Sequence, residues 1–444
     1  MRRRLFWFAV LALTTQFLAQ VFASDPPDVD LPATGTIDQR AFFGTRRDPA
    51  IDYDRPTLDV VADLIRKVED GTVKLRDEGS GGYLRSVLDA LQVPVSSQSV
   101  VFSKTSLQQH YISPSNPRAI YFSDTVIVAF IRNAPLLELA ALDSHQGVVF
   151  YALQRPETEG ARPQIVRSDA CLSCHEVRET LGVPGLLARS LPVSAGGQPV
   201  PDVTPFSSDH RSPFAERWGG WFVTGGTGRT LHMGNTLTSV DGNASRPTRP
   251  PQPLQSLEGK FDADGYPSPY SDVAALMTFN HQVRMINLMT RVGYETRIAL
   301  AQLQKNEESA AAANRLIAAD ASEFVDSLLF VDESPLPEKF ESTSGFQQQF
   351  ERYGPRDRRG RSLKQMDLET RLFRYPCSYM IYSPAFDGLP QATRDAIYSR
   401  MWEVLSGNDH DRKYARLTPQ LRADIVDILV DTKPGLPKYF HPLP

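Results

Sequence analysis

The chain has 444 residues, 41% of them hydrophobic and 23% charged, and a net charge of −4 with the two signs mixed throughout. No basic stripe points to nucleic acid, and beyond the N-terminus no run approaches the ~18 consecutive apolar residues of a membrane span. With only 3 cysteines and 8 histidines, the metal and redox chemistry open to the chain is narrow.

Residues 1–23 read as a signal peptide: Arg2, Arg3 and Arg4 precede the apolar run Leu5 to Leu13, and Val21-Phe22-Ala23 offers a cleavage site. The alternative is an uncleaved N-terminal anchor, and either reading puts the bulk of the chain outside the cytoplasm. A periplasmic location is therefore expected. Residues 24–55, rich in Asp, Pro and Gly, read as an extended arm. Within a third segment, 56–165, two short helices are expected, over Pro56 to Glu69 and Tyr83 to Leu91. Five β-branched and aromatic runs between Val100 and Tyr151 follow, separated by Pro, Asp, Asn and Gly, and they predict a small antiparallel sheet.

Directly after the sheet stands Cys171-Leu172-Ser173-Cys174-His175, a C-x-x-C-H run. Two thiols at this spacing can add to the two vinyl groups of one haem, and the adjacent histidine can then sit under the iron. At these cysteine and histidine frequencies the run would arise by chance in roughly a few of ten thousand such chains. A zinc site lacks its second cysteine pair, and a thioredoxin-like dithiol lacks its βαβ surroundings. One covalent haem c is the cofactor expected, with Cys171 and Cys174 as attachment points and His175 as the proximal ligand. Export agrees with covalent attachment and is an independent signal.

The haem-binding region is expected over 166–305. A helix should start near Asp169, capped by Ser168 or Asp169, and run past Glu179 until Gly182-Val183-Pro184-Gly185 stops it. A carbonyl of that stop could take a hydrogen bond from the second ring nitrogen of His175 and fix its tautomer. The stretch to about Pro250 is rich in Gly and Pro with little periodicity, as a loop-built pocket would be. A long helix then follows over Tyr270 to Lys305. For the sixth iron position the candidates are Met233 and His232 on a glycine-rich loop, then His281 on the long helix. Arg229, with Arg211 and Arg217, could serve haem propionates, and Trp221, with Trp218, could pack on the ring edge. Each has a plainer reading: the 232–233 loop as a pocket wall, His281 as a hydrogen-bonded structural histidine, and the arginines as ordinary surface residues. Cys377 reads as a buried inert thiol, with a sulfur ligand to iron as the alternative.

Residues 306–444 read as a helical C-terminal region, clearest over Gln391 to Leu405 and Pro419 to Asp431. The fold class expected is α+β: a β-rich N-terminal region, a loop-rich haem-binding region with a long helix, and a helical C-terminal region.

The motif and the export signal resemble the c-type cytochromes, on Cys171, Cys174 and His175 alone. The chain as a whole is similar to a group of large single-haem bacterial cytochrome c domain proteins, in Trp-Gly-Gly-Trp at 218–221 and Phe-Arg-Tyr-Pro-Cys-Ser-Tyr at 373–379. The resemblance implies a cytochrome and nothing finer. An electron-transfer protein serving an unidentified redox partner is the leading expectation. A haem peroxidase or oxidase is the first alternative, weakened by the lack of a second C-x-x-C-H. A haem-based redox or gas sensor is the second, weakened by the lack of an output segment.

Overall fold

A computed structural model describes residues 44–156, 162–201, 203, 206–238, 247–303 and 307–443. The expected leader, 1–23, and most of the expected arm lie outside them. The described end of the arm does not run free. It contains a 3-10 turn at Thr45–Arg47, buries Ile51 and Tyr53, and ties the Tyr53 hydroxyl to the Val148 carbonyl at 2.8 Å.

The chain is α+β, with its sheet in the N-terminal half and most of its helix in the C-terminal half. Six strands form one antiparallel meander in chain order: β1 Ser99–Val101, β2 Arg118–Phe122, β3 Val126–Ile131, β4 Leu136–Asp143, β5 Gly147–Gln154 and β6 Gln164–Arg167. Every residue of β3 is buried, so the sheet is covered on both faces.

Register sorts the two faces. Tyr121, Val128, Leu139 and Tyr151 stand in one row across four strands. Tyr121 donates to Gln98 Oε1 at 2.6 Å, and Tyr151 donates to Asp59 Oδ2 at 2.5 Å. Asp59 also caps the helix Val60–Glu69, its Oδ1 accepting from the Val61 and Ala62 amides. One carboxylate thus starts a helix and fastens it to the sheet. The opposite face carries Phe122, Ile127, Ala140 and Phe150 in one row and Ile120, Ala129 and Glu138 in the next.

The long helix Val273–Leu303 is buried all round through most of its length, as a central helix must be. Its Phe279 ring meets Phe122 at 5.3 Å between centroids, on the second sheet face. The β4–β5 turn presses on the same helix. Gly147 has φ +74°, and a Cβ there would lie 2.3 Å from Thr290 Cγ2, so the position requires glycine on both counts. The Tyr294 hydroxyl donates to the Gln146 carbonyl of that turn at 2.6 Å. Helices Glu307–Leu328 and Gln391–Leu405 pack in turn on the long helix, and Pro419–Thr432 on Gln391–Leu405.

Between the motif and the long helix, regular structure among the described residues is confined to single 3-10 turns and one two-stranded ribbon, Arg189–Ser190 with Phe206–Ser207. Side-chain-to-backbone bonds order it instead. Ser190 Oγ accepts from the Gly219 amide, Trp221 Nε1 donates to the Arg189 carbonyl, and Asn235 bonds both backbone groups of Val223. Among the described residues no helix is long and apolar enough to cross a membrane.

Candidate functional site

Strand β6 ends at Arg167, and the chain turns at once into the motif through a 3-10 turn, Asp169–Cys171, and one short helical turn, Leu172–His175. This corrects the longer helix expected through Glu179. The helix stops at His175 because Glu176 leaves helical geometry, at φ −126° and ψ 66°, and no side-chain cap from Ser168 or Asp169 starts it. Leu172 is buried beneath the turn, which leaves Cys171, Cys174 and His175 partly exposed.

Both thiols are free. Burial raises the Cys171 thiol above its ordinary pKa, so it is held as a thiol. The Cys171 Sγ lies 3.9 Å from the Ser168 hydroxyl. The His175 ring packs against Phe150 at 4.8 Å between centroids. Its Nδ1 lies 2.8 Å from the Gly185 carbonyl oxygen. A carbonyl only accepts, so Nδ1 carries the proton and Nε2 carries the lone pair. No residue among those described engages Nε2. Burial lowers the imidazole to about 4, so the ring is neutral at pH 7.

The loop that supplies this carbonyl is braced from three sides. The Gly185 amide donates back to the His175 carbonyl at 2.9 Å. Thr180 closes the turn by bonding Val177 and Val183. Asn287 of the long helix grips the next residue with both ends of its amide: Leu186 N donates to Oδ1 at 2.8 Å, and Nδ2 donates to Leu186 O at 2.9 Å. A Cβ on Gly185 would lie 2.5 Å from Asn287 Oδ1, so only glycine allows this approach.

Cys171, Cys174 and His175 line one cleft with the second sheet face and the long helix. The cleft is open to solvent at its mouth and has a cavity volume of about 90 Å³. Ile120, Ile127, Ala129, Ala140 and Phe150 make the sheet wall, and Leu186, Leu187 and Phe279 add apolar surface. Charge enters from two strands only, where Arg118 of β2 pairs with Glu138 of β4. Sequence reasoning missed this pair. The available signal was a glutamate inside the apolar run Leu136 to Leu142, since a charge in a covered strand is rarely placed without a partner.

The other expected site residues lie elsewhere. His232 is buried, with Nδ1 accepting from the Gly234 amide and Nε2 3.3 Å from Thr227 Oγ1. Its ring meets Trp218 edge-on at 5.2 Å between centroids. Met233 is held by its backbone to Arg217 and Thr236. Neither lines the cleft: the 218–235 loop is tied to Arg189 through Trp221 and to itself through the Asn235–Val223 pair. Trp221 does not line it either, standing behind Phe279 at 6.4 Å between centroids with its Nε1 on Arg189 O. Arg229 is exposed, its amide donating to Glu338. Arg217 is buried, bonded to the Ser212 and His210 carbonyls, and Arg211 pairs with Asp209. His281 is buried between His210 Nδ1 at 3.2 Å and Ser378 Oγ at 2.7 Å. Cys377 is wholly buried outside the cleft, and burial pushes its thiol far up.

No group of three or more His, Cys, Asp or Glu side chains suited to a bare metal ion occurs among the described residues. The chain matches no protein-family model, no curated protein and no solved structure.

Proposed function

We propose that the chain is an exported c-type haem protein that exchanges electrons with a redox partner and binds a small exogenous ligand at the iron. One observation carries the first half. Two free thiols and a neutral imidazole, its Nδ1 proton already committed, stand together on one apolar cleft. This donor set fits haem c. Cys171 and Cys174 would each add S–H across a vinyl group, and His175 Nε2 would take the iron. Once bound, the group supplies one-electron and ligand-binding chemistry.

The chain's own residues set the terms of that chemistry. The Gly185 carbonyl holds the His175 ring in one tautomer and one orientation, and a hydrogen bond to the non-ligating nitrogen makes the ligating one more basic. The sheet wall excludes water from the buried side of the cleft. The lining of the cleft supports the second half of the proposal. Among the described residues it includes no methionine, and no histidine besides His175, to serve as a strong sixth ligand. A six-coordinate electron carrier needs such a ligand, whereas a ligand-binding redox centre needs its absence.

The test is the ferric optical spectrum of protein matured in an exporting c-type host. A high-spin spectrum that converts to low spin on adding imidazole is the outcome expected. A low-spin spectrum at rest, abolished by Met233→Ala or His232→Ala, would return the account to an electron carrier.

A further inference from the structure

The Arg118–Glu138 pair is unequally occupied. Glu138 Oε1 accepts from Gln108 Nε2 at 2.9 Å and Ser106 Oγ at 3.3 Å, while Oε2 accepts from Arg118 Nη2. Gln108 is itself locked, giving its Nε2 to Leu136 O at 3.1 Å and receiving Leu136 N on Oε1 at 3.2 Å. The carboxylate is therefore fixed and well supplied with donors, and little is left for it to accept. Arg118 is the reverse. Its Nη2 is used, but its Nε is buried with no acceptor. A buried guanidinium N–H without an acceptor is costly and needs an explanation. Apart from Thr105 and Ser106, the cleft wall around the pair is mainly apolar, where an ionic hydrogen bond is stronger than in water. The pair lines the same cleft as Cys171, Cys174 and His175.

We propose that Arg118 is the anion-recognition residue of the cleft and Glu138 its positioning residue, together selecting small anionic ligands over neutral ones. This rests on the haem reading above. Arg118, which lines the cleft, supplies the positive charge. Glu138 keeps the guanidinium from rotating away, and its own charge holds anion affinity at a moderate level.

The experiment is a spectral titration of the ferric holoprotein with azide and, separately, with neutral imidazole. Arg118→Gln should weaken azide binding by about tenfold or more, the usual weight of an ionic hydrogen bond, and change imidazole binding by less than about threefold. Glu138→Gln, nearly isosteric, should tighten azide several-fold. The double variant R118Q/E138Q leaves no buried charge unpaired and controls for folding; it should match Arg118→Gln in azide affinity. Equal weakening of azide and imidazole would overturn the proposal. So would unchanged azide binding with a shifted potential, which would make Arg118 the partner of the haem's own carboxylates. Wild-type protein that keeps covalent haem but binds neither probe would overturn both this inference and the open iron position. Protein without covalent haem would instead fail the underlying haem reading.

Discussion

Asn287→Ala isolates what holds the His175 loop. Asn287 is buried and satisfies both the amide and the carbonyl of Leu186, itself buried. Truncation leaves one donor and one acceptor without partners. Each such group costs about 1–3 kcal/mol, so the bare sum is about 2–6 kcal/mol. The vacated space can admit a water that bonds both groups, which points to the lower part of that range, about 2–3 kcal/mol. The loss is local, because the only regular structure along the loop is a 3-10 turn at Arg178–Thr180 and the two-residue strand Arg189–Ser190. At 1.4 kcal/mol per tenfold, amide exchange in a peptide over 183–190 should speed up by about 30- to 150-fold. Mass-spectrometric hydrogen exchange reads this without assuming two-state unfolding. A peptide over β3, such as 126–131, should change little and serves as the internal control. Exchange at 183–190 within twofold of wild type would refute the idea that Asn287 braces the loop.

Gly185→Ala should disturb the same loop by a different route, since the added Cβ must displace Asn287 or Thr180. Overpacking of this kind costs about 1–3 kcal/mol, measured as a fall in the denaturation midpoint. Iodoacetamide should label Cys377 only after unfolding, since the thiol is wholly buried and its ionisation is suppressed; peptide mapping of native and denatured protein checks this. Glu295 is buried beside Asp320, and burial followed by that carboxyl raises its pKa above the ordinary carboxylate range. A folded-state pKa raised above the unfolded value makes stability fall as pH rises past that range. Glu295→Gln should therefore gain stability over wild type progressively between about pH 5 and 9, read from urea midpoints; a constant difference across that window would count against it. His210 and His281 face each other, with Asp209 and Arg211 beside them, and burial lowers both, His210 to about 3. Here the folded pKa lies below the unfolded one, so stability should drop as pH falls below about 6.5, and His210→Gln should flatten that acid limb.

Legibility followed the strength of local signals. Strands β2 to β4 were readable almost to the residue because each is an apolar run closed by Pro, Asp, Asn or Gly, whereas β5 runs on past the expected Tyr151 to Gln154. Strand β6, Gln164–Arg167, was not anticipated: it is a short edge strand with polar ends and an exposed Val166, so it has no apolar run to find. Gln391–Leu405 ends where periodicity placed it. The helix through the motif was overextended because its stop lies in the backbone of Glu176 and the Val177–Thr180 turn rather than in the later glycines. The three motif residues and the Gly185 carbonyl were readable because they are one short segment. The rest of the cleft was not, because it is assembled by register. Arg118, Ala129 and Glu138 come from three strands and meet only when the meander forms. Where His232 and Met233 lie was not legible either: proximity along the chain says nothing of which way a loop folds, and this one sets the His232 ring against Gly234 and Thr227.

The central claim is that Cys171 and Cys174 hold one haem covalently. The intact mass of the denatured protein, purified from an exporting c-type maturation host, tests it most directly. The expected result is the mass of the chain plus one haem, with neither motif thiol open to alkylation, and loss of that added mass in Cys171→Ala/Cys174→Ala. An unmodified chain whose two motif thiols both alkylate would contradict it.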